Sequence, residues 1–281
     1  MRNMDGHRRP LKSAIRLGAV AAFVVASSAL VQAADCPRKD ALGTSRIMTV
    51  DAVTYPRIGL ENFKETLPLA EREVVLTFDD GPALPMDDEI LAALAEQCVR
   101  ATFFMVGQPA TGMPEAVRKI AAAGHTVGHH TWSHKNLARI SPQSAAHEID
   151  MGIAAIEMAL NGVATTVPST PFFRYPFFDM TQATLDDLQE RGIVVFSTDL
   201  MADDWNPMTP QQQLKLLTDR LEAKKKGIIL LHDPRTQTVA MLGDFLRYLR
   251  DNSYRVVHVV PAAQASPAKE QAGASSGTRP N

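Results

Sequence analysis

From Val74 onward, short apolar runs alternate with longer segments in which apolar residues recur every three or four positions. This alternation is typical of β–α units, which build a parallel sheet covered by helices. Strands are predicted near residues 74–79, 101–106, 125–129, 171–175, 193–198, 227–232 and 255–260. Helices are predicted near residues 86–97, 113–123, 141–160, 181–191, 209–226 and 237–251. This pattern predicts an α/β fold, either a barrel or a large open sheet.

Local signals mark the ends of several of these helices. Ser141-Pro142 and Thr209-Pro210 each place a capping hydroxyl directly before a proline, which is favoured at the first helical position. Gln212 stands where it would close a capping box with Thr209. Glycines are predicted to end helices at Gly124, Gly192 and Gly227.

The N-terminal residues 1–33 are predicted to be a secretory signal peptide. Five basic residues, four of them within Arg8–Arg16, precede the apolar run LGAVAAFVVASSALV (Leu17–Val31), and small residues follow it. The run is short for a membrane span, so cleavage after Ala33 is expected and a stable membrane anchor is not. The mature protein is then expected in the periplasm or outside the cell, with a retained anchor as the alternative.

Two further segments flank the main domain, which is predicted over residues 73–261. Residues 34–72 form an irregular N-terminal arm with one possible strand at Arg46–Val53. Residues 262–281 form a low-complexity tail, which is predicted to be disordered because it carries too few apolar residues to build a core.

Charge argues against one class of partner. Removing residues 1–33 changes the formal charge from −2 to −6. A mildly acidic protein without a basic stripe is not expected to bind nucleic acid. The one short basic run, Lys224–Lys226, stands at the predicted end of a helix, where cations complement the helix dipole.

The chain has two cysteines, Cys36 and Cys98. In an exported protein they are predicted to form a disulfide. On the chain-entropy model such a bond contributes about 4 kcal/mol to stability. A buried Cys98 and a free Cys36 thiol are the alternative.

Polar residues gather where the predicted strands end. In parallel α/β folds the carboxyl ends of the strands meet at one edge, which is where functional groups lie. The residues that this rule brings together are Asp79, Asp80, His130, Arg174, Asp203, Asp204, His232 and Asp233.

The segment GHHTWSH (Gly128–His134) predicts a metal site. His130 and His134 are four positions apart and would share one face of a helical turn. With one carboxylate from the pair Asp79-Asp80 they form a His₂Asp set, which suits catalytic Zn²⁺ or a related divalent ion such as Co²⁺ or Ni²⁺. The second carboxylate is then free to take a proton from water.

Two other interpretations of these residues stay open. An Asp-Gly-Pro sequence can be a tight turn stabilised by its own side chains, although this accounts for one aspartate and not for two. Two histidines and one carboxylate also describe a non-haem iron oxygenase, but the additional aspartate and His232 argue against that class.

Five ordered motifs carry a resemblance to a known family. They are TFDDGP (Thr77–Pro82), HTWSH (His130–His134), RYPF (Arg174–Phe177), Asp204-Trp205 and LLH (Leu230–His232). The chain resembles the NodB-like polysaccharide deacetylases, carbohydrate esterase family four, over roughly residues 73–260. Two positions depart from the pattern: Phe178 stands where the family usually has glycine, and DLMADDW (Asp199–Trp205) is longer than usual.

The resemblance implies a distorted (β/α)₇ barrel of the NodB-homology type and a role for each motif residue. Asp80, His130 and His134 would hold the metal, and Asp79 would be the general base. The backbone N–H of Phe177 would stabilise the oxyanion, and His232 would protonate the leaving group. The supporting residues would be Arg174 for Asp79, either Asp203 or Asp204 for His232, and Trp205 with Leu230 as walls for the acetyl methyl.

The expected function is the metal-dependent removal of N-acetyl groups from an envelope or extracellular polysaccharide: peptidoglycan, a chitin-like polymer or poly-N-acetylglucosamine. The expected partner is therefore an acetylated polysaccharide. A carbohydrate O-acetyl esterase is the first alternative, because amide and ester hydrolysis need the same groups. A non-catalytic relic that binds metal and glycan is the second. Trp205 and Leu230 could also be core residues, and Arg174 a structural ion pair.

Overall fold

The computed structural model describes residue 36 and residues 38–262. The predicted signal peptide and all but the first residue of the predicted tail lie outside the described residues. Among the described residues, no helix is both long and apolar enough to span a membrane.

The described residues form ten strands, seven α-helices and two short 3₁₀ turns. The strands are β1 (Thr44–Val50), β2 (Arg57–Ile58), β3 (Glu73–Asp79), β4 (Thr102–Met105), β5 (Thr126–His129), β6 (Phe172–Phe173), β7 (Val194–Phe196), β8 (Leu200–Met201), β9 (Gly227–His232) and β10 (Arg255–Pro261). The helices are α1 (Met86–Glu96), α2 (Gly107–Gly112), α3 (Pro114–Ala122), α4 (Pro142–Asn161), α5 (Gln182–Glu190), α6 (Pro210–Lys224) and α7 (Thr236–Asp251). The 3₁₀ turns are Leu137–Arg139 and Pro176–Phe178.

Strand β3 is the centre of one parallel sheet. Strand β9 pairs with β3 along Val74–Asp79, which occupies one of its two edges. The other edge is shared: β10 pairs with its first residues, and β4 pairs with Thr77–Asp79. Beyond β4 the sheet continues through β5, β6 and β7 to β2, while β8 pairs with β9 and β1 with β10. Every pairing is parallel, as the alternation of strands and helices predicts.

The sheet is curled into an open, distorted barrel. Arg174 follows β6, three strands from β3, which in a flat sheet would be about 14 Å away. Its Nη1 nevertheless donates to the Thr77 hydroxyl at 2.8 Å and to Asp79 at 2.7 Å. The Asp199 carboxylate links the segment after β2 to β9, because it accepts hydrogen bonds from Leu60 N and Ile228 N. The predicted α/β fold with a parallel sheet is confirmed, and among the described residues the barrel is not closed by strand pairing.

Side chains alternate between the two faces of β3, which decides what the barrel encloses. Val74, Leu76 and Phe78 face outward into a core that includes residues of α1, α3, α6 and α7. Val75 faces inward into a second core with Phe104, Phe172, Phe196 and Ile228. Thr77 and Asp79 have the same parity as Val75, so the strand delivers them to the barrel interior. This arrangement also explains why β3 is buried on both faces.

The predicted helix starts are confirmed, and one predicted helix end is wrong. Ser141 and Thr209 cap α4 and α6 through their hydroxyls, and Gln212 closes the capping box. Gly124 and Gly192 lie in the left-handed region just after α3 and α5, with φ of 82° and 68°. Helix α6, however, ends at Lys225, which has a φ of 65°, while Gly227 already belongs to β9. The Lys225 carbonyl there accepts a hydrogen bond from Arg72 N at 2.9 Å.

The N-terminal arm is part of the sheet. Its first strand β1 pairs with β10, and β2 pairs with β7. Cys36 is joined to Cys98 by a disulfide, with their Cα atoms 5.7 Å apart, and this bond ties the arm to the segment between α1 and β4. The strand expected at Arg46–Val53 begins and ends earlier, at Thr44–Val50.

Candidate active site

The carboxyl ends of the strands surround a cavity of about 610 Å³. Its walls come from the β3, β5, β6 and β9 ends, from the segment after β8 and from the arm. The lining residues are Glu61, Asn62, Asp79, Asp80, His130, His134, Tyr175, Phe177, Phe178, Asp179, Met201, Trp205, Leu230, His232 and Arg235. Of the predicted site residues, the cysteines, Arg174, Asp203, Asp204 and Asp233 are absent from this lining. Arg174 and Asp204 nevertheless bond directly to Asp79 and His232.

Asp79 is held by a buried arginine. The Arg174 guanidinium has no solvent exposure and donates to Asp79 Oδ1 at 2.7 Å, to Thr77 Oγ1 at 2.8 Å and to the Ser197 carbonyl at 2.9 Å. Its carbon Cζ lies 4.3 Å above the centre of the Phe104 ring. Burial lowers the pKa of Arg174, but the Asp79 charge opposes this effect. The pair fixes the orientation of a carboxylate at the edge of the cavity.

The next residue, Asp80, faces the two histidines instead. Its φ of 76° turns the chain sharply after β3. Asp80 thereby faces both histidines, while Asp79 approaches His130 alone, with Oδ2 3.8 Å from Nε2. Asp80 Oδ1 lies 3.1 Å from His134 Nε2 and 3.5 Å from His130 Nε2. Burial opposes ionisation of this carboxyl, but hydrogen bonds from the two imidazoles, when their Nε2 atoms are protonated, outweigh burial and lower the pKa of Asp80 well below its usual range.

His130 is set up as a ligand by its other ring nitrogen. His130 Nδ1 lies 2.7 Å from the carbonyl oxygen of Arg174, which can only accept, so Nδ1 carries the proton. In the neutral ring Nε2 then presents a lone pair towards Asp80 and His134. One ligand atom from each of Asp80, His130 and His134 lies within 4.8 Å of the others. His129, by contrast, bonds to the Thr170 carbonyl and stands apart from this group.

The turn that carries His130 and His134 is fixed by helix α4. Glu148, which is 3% exposed, accepts hydrogen bonds from Ser133 N at 2.8 Å and from Ser133 Oγ at 2.7 Å. Its own carbonyl accepts from Trp132 N at 2.8 Å. Four residues after Glu148 in helix α4, Gly152 packs against the segment that carries the two histidines. A Cβ at Gly152 would lie only 2.4 Å from the Thr131 carbonyl carbon. The ligand geometry therefore depends on a helix that contributes no ligand.

His232 faces the ligand group from the end of β9. His232 Nδ1 lies 2.6 Å from Asp204 Oδ1, and the Asp204 carboxylate is completely buried. Burial alone would lower the pKa of His232, but the Asp204 carboxylate and the charges of Asp79 and Asp80 raise it. Asp203, the other candidate, turns away and pairs with Arg220 at 2.7 Å. Of the two aspartates, Asp204 is the one that contacts His232.

The turn after β6 places two phenylalanines at the rim. Phe177 and Phe178 have φ of 58° and 54°, in the left-handed region that costs a non-glycine residue about 1 kcal/mol or more. The Phe177 side chain is 64% exposed, and its ring packs edge-on against His134 with centroids 4.8 Å apart. The unusual phenylalanine at position 178 thus keeps the backbone that a glycine would favour.

Trp205 and Leu230 differ in how they meet the cavity. Trp205 is 43% exposed, and its ring packs edge-on against His232 with centroids 5.7 Å apart. Leu230 is 2% exposed and lies on the inward side of β9, at the cavity floor. Trp205 is therefore a rim residue rather than core, while Leu230 both packs and lines the cavity.

Several residues around the cavity were not predicted. The arm supplies Glu61 and Asn62, and the latter bonds to the Ser197 hydroxyl and to the Phe178 carbonyl. Glu148 was missed although an acidic residue on the apolar face of a predicted helix is a signal of a buried polar contact. The position of Gly152 carries a similar signal, because a glycine inside a helix usually marks close packing.

Sequence comparisons agree with the fold and the motifs. A family model described as polysaccharide deacetylase matches residues 67–196. A peptidoglycan-N-acetylglucosamine deacetylase of Bacillus cereus is 35% identical over 49% of this chain and 48% of its own length. Chitin deacetylase 1 of Saccharomyces cerevisiae is 30% identical over 58% of this chain and 52% of its own length, so the chain spans about half of each of these two relatives. A chitooligosaccharide deacetylase of Bradyrhizobium is 32% identical over 58% of this chain and 71% of its own length.

Solved structures show the same fold. A peptidoglycan deacetylase of Bdellovibrio bacteriovorus superposes with a TM-score of 0.70 and 28% identity, over 81% of this chain and 62% of its own. A family-four pseudoenzyme of Bacillus anthracis shares the fold alone, with a TM-score of 0.58 and 22% identity over 66% of this chain and 63% of its own. From the fold, the ordered motifs and these relatives, the chain belongs to the NodB-like polysaccharide deacetylases, carbohydrate esterase family four.

Proposed function

We propose that this protein is a metal-dependent hydrolase that removes N-acetyl groups from an envelope or extracellular polysaccharide. The observation that carries the proposal is the separation of the two adjacent carboxylates. Asp79 Oδ1 is bound to Arg174 at 2.7 Å and its Oδ2 is 3.8 Å from one imidazole, whereas Asp80 Oδ1 faces two imidazoles at 3.1 and 3.5 Å. A tight turn alone does not require different partners for neighbouring aspartates, but a base beside a metal site does.

The residues present fit a divalent metal ion. Asp80 Oδ1 is buried and accepts no conventional hydrogen bond, and two imidazole Nε2 atoms converge on it. A cation would satisfy these lone pairs together. Two histidines and one carboxylate with an open side suit Zn²⁺ first and Co²⁺ or Ni²⁺ next. When bound, such an ion supplies Lewis acidity to the acetyl carbonyl and to water.

The protein residues divide the remaining work between two sides of the cavity. Asp79, oriented by Arg174, takes a proton from the attacking water. The backbone N–H of Phe177 donates to the developing oxyanion. His232, whose pKa is raised with the help of Asp204, donates a proton to the departing sugar nitrogen. Leu230 and Trp205 bound the space for the acetyl methyl, and the exposed rings of Phe177 and Trp205 offer faces for sugar rings.

Peptidoglycan is the proposed first substrate. Relatives named for peptidoglycan, chitin and chitooligosaccharide deacetylation support an acetylated amino-sugar polymer. The predicted signal peptide would bring the protein to the periplasm or the exterior, where it meets such polymers rather than cytosolic intermediates.

The test is acetate release by the metal-reconstituted protein from peptidoglycan, chitin oligomers, poly-N-acetylglucosamine and acetylated xylan. We expect release from at least one N-acetylated polymer, and loss of that activity in Asp79→Asn and in His232→Asn. Release from acetylated xylan alone would identify an O-acetyl esterase and overturn the deacetylase proposal. No release from any of the polymers by protein that binds metal would indicate a relic, as in the pseudoenzyme that shares this fold.

A further inference from the structure

Arg235 is a cation in the cavity wall that the proposed chemistry does not use. Its side chain is half-buried and lines the cavity together with His232 and Trp205. Within residues 38–262 its guanidinium forms no ion pair and no hydrogen bond, and its Nε is buried without a partner. Most buried or half-buried guanidinium groups are paired, because an unpaired one loses hydration without compensation.

The position of Arg235 is fixed relative to the proposed proton donor. It lies three residues after His232, between Pro234 and the first residue of α7. Gln237, two residues further, donates to the Asp204 carbonyl and anchors the segment to the aspartate that supports His232. Trp205 packs on the same histidine. Trp205 and the unpaired Arg235 guanidinium therefore line the same cavity as His232.

We propose that Arg235 binds a carboxylate on the sugar residue next to the one that is deacetylated. This inference rests on the proposed function and narrows its substrate class to acidic N-acetylated glycans. Trp205 would stack on the neighbouring sugar ring, and the planar guanidinium would bind its carboxylate through two parallel hydrogen bonds.

The charge of the cavity favours a carboxylate over a phosphate group. Glu61, Asp179, Asp79 and Asp80 also line it, so a second negative charge on the ligand would add repulsion. A single negative charge on the ligand, bound by Arg235, keeps its repulsion by the acidic residues of the cavity small. Two glycan chemistries provide it, the lactyl ether of an N-acetylmuramic acid without its peptide and a uronic acid.

The test compares each acidic glycan with its own carboxyl-reduced form, in which the carboxylate becomes a neutral alcohol. The two acidic glycans are peptide-free strands of alternating N-acetylglucosamine and N-acetylmuramic acid, and a polymer that alternates N-acetylglucosamine with a uronic acid. In metal-loaded wild-type protein we expect kcat/KM to be at least about tenfold higher on one acidic glycan than on its reduced form. Arg235→Gln should abolish this ratio, chiefly through KM, and Arg235→Lys should restore part of it.

Arg247→Gln is the matched control, because it removes a cation from the exposed side of α7 far along the helix. In Arg247→Gln the ratio of kcat/KM on the acidic glycan to kcat/KM on its reduced form should equal that of wild type. Equal ratios in wild type and Arg235→Gln on both glycans would overturn the inference. Glycan dissociation constants, measured with the Asp79→Asn protein and with the same protein carrying Arg235→Gln, separate the proposal for Arg235 from the proposed deacetylase activity. If the protein binds the acidic glycan more tightly than its reduced form but releases no acetate, the proposed role of Arg235 stands and the proposed deacetylase activity is rejected.

Discussion

The contact between Gly152 and the ligand turn offers a stringent test of how the metal site is held. Replacing Gly152 with alanine adds one methyl group inside helix α4. That group would lie 2.4 Å from the Thr131 carbonyl carbon and 2.8 Å from Trp132 N, whereas ordinary contacts begin at 3.4 Å. Both neighbours are backbone atoms of the turn between His130 and His134. The turn must therefore move, and the histidines with it.

The magnitude follows from two opposing effects. Alanine is favoured over glycine within a helix by about 1 kcal/mol. Overpacking against backbone costs about 1–3 kcal/mol. Gly243 in α7 provides the control, since its added methyl would meet only the flexible end of Arg247, at 3.5 Å. Gly243→Ala should therefore raise the free energy of unfolding by about 0.5–1 kcal/mol relative to wild type. The free energy of unfolding of Gly152→Ala should be lower than that of Gly243→Ala by about 1–3 kcal/mol.

Two measurements check this prediction. Urea unfolding of the metal-free proteins gives the difference in the free energy of unfolding. Competition titration with a chelator gives Zn²⁺ affinity, which we expect to fall about 10–100-fold in Gly152→Ala and to be unchanged in Gly243→Ala. If Gly152→Ala gains as much stability as Gly243→Ala and binds Zn²⁺ as tightly as wild type, the proposed support of the ligand turn by α4 is refuted.

Three further predictions concern single carboxylates. Asp79→Asn should lower kcat about 10²–10⁴-fold with Zn²⁺ affinity nearly unchanged, whereas Asp80→Asn should lose the metal. Steady-state kinetics and the same chelator titration distinguish the two variants. Equal loss of metal in both would reject separate roles for the two aspartates. Asp204→Asn should lower the pKa of His232, and since a proton donor works only below its pKa, the alkaline limb of the pH–rate profile should move to lower pH; an unmoved limb would reject His232 as the donor. Burial raises the pKa of Asp87 from 3.8 to about 6, so the folded state holds its proton more tightly and stability falls as pH rises across that interval. Asp87→Asn should therefore gain up to about 3 kcal/mol at pH 8 and little at pH 4, and a gain of equal size at both pH values would contradict this linkage.

The parts of this fold that were predictable are those in which local pattern and final structure agree. The run Val74–Asp79 is long enough to show a strand, and its parity places Asp79 inside the barrel. Ser141-Pro142 and Thr209-Pro210 satisfy unpaired N–H groups within their own helices, so no distant contact is needed. The strand ends that carry chemistry were predictable because parallel strands share one direction.

The remaining features depend on contacts that the sequence does not reveal. Strands β2 and β8 have two residues each, which is too short to show a period. Asp203 and Asp204 are chemically identical, and only the distant residues Arg220 and His232 distinguish them. Lys225 adopts a left-handed backbone although a glycine stands two positions away, because its carbonyl bonds to Arg72 N from the segment before β3.

The pairing of β3 with β9 sets the smallest unit that can fold. The family match ends at residue 196, but one whole edge of β3 is covered by residues 227–232. A fragment limited to the matched region would leave Val74–Asp79 as a bare apolar edge, which is a template for aggregation. It would also lack His232, which lines the cavity with the proposed metal ligands. The region that the family model matches is thus shorter than the cooperative unit, which we expect to extend at least through β9.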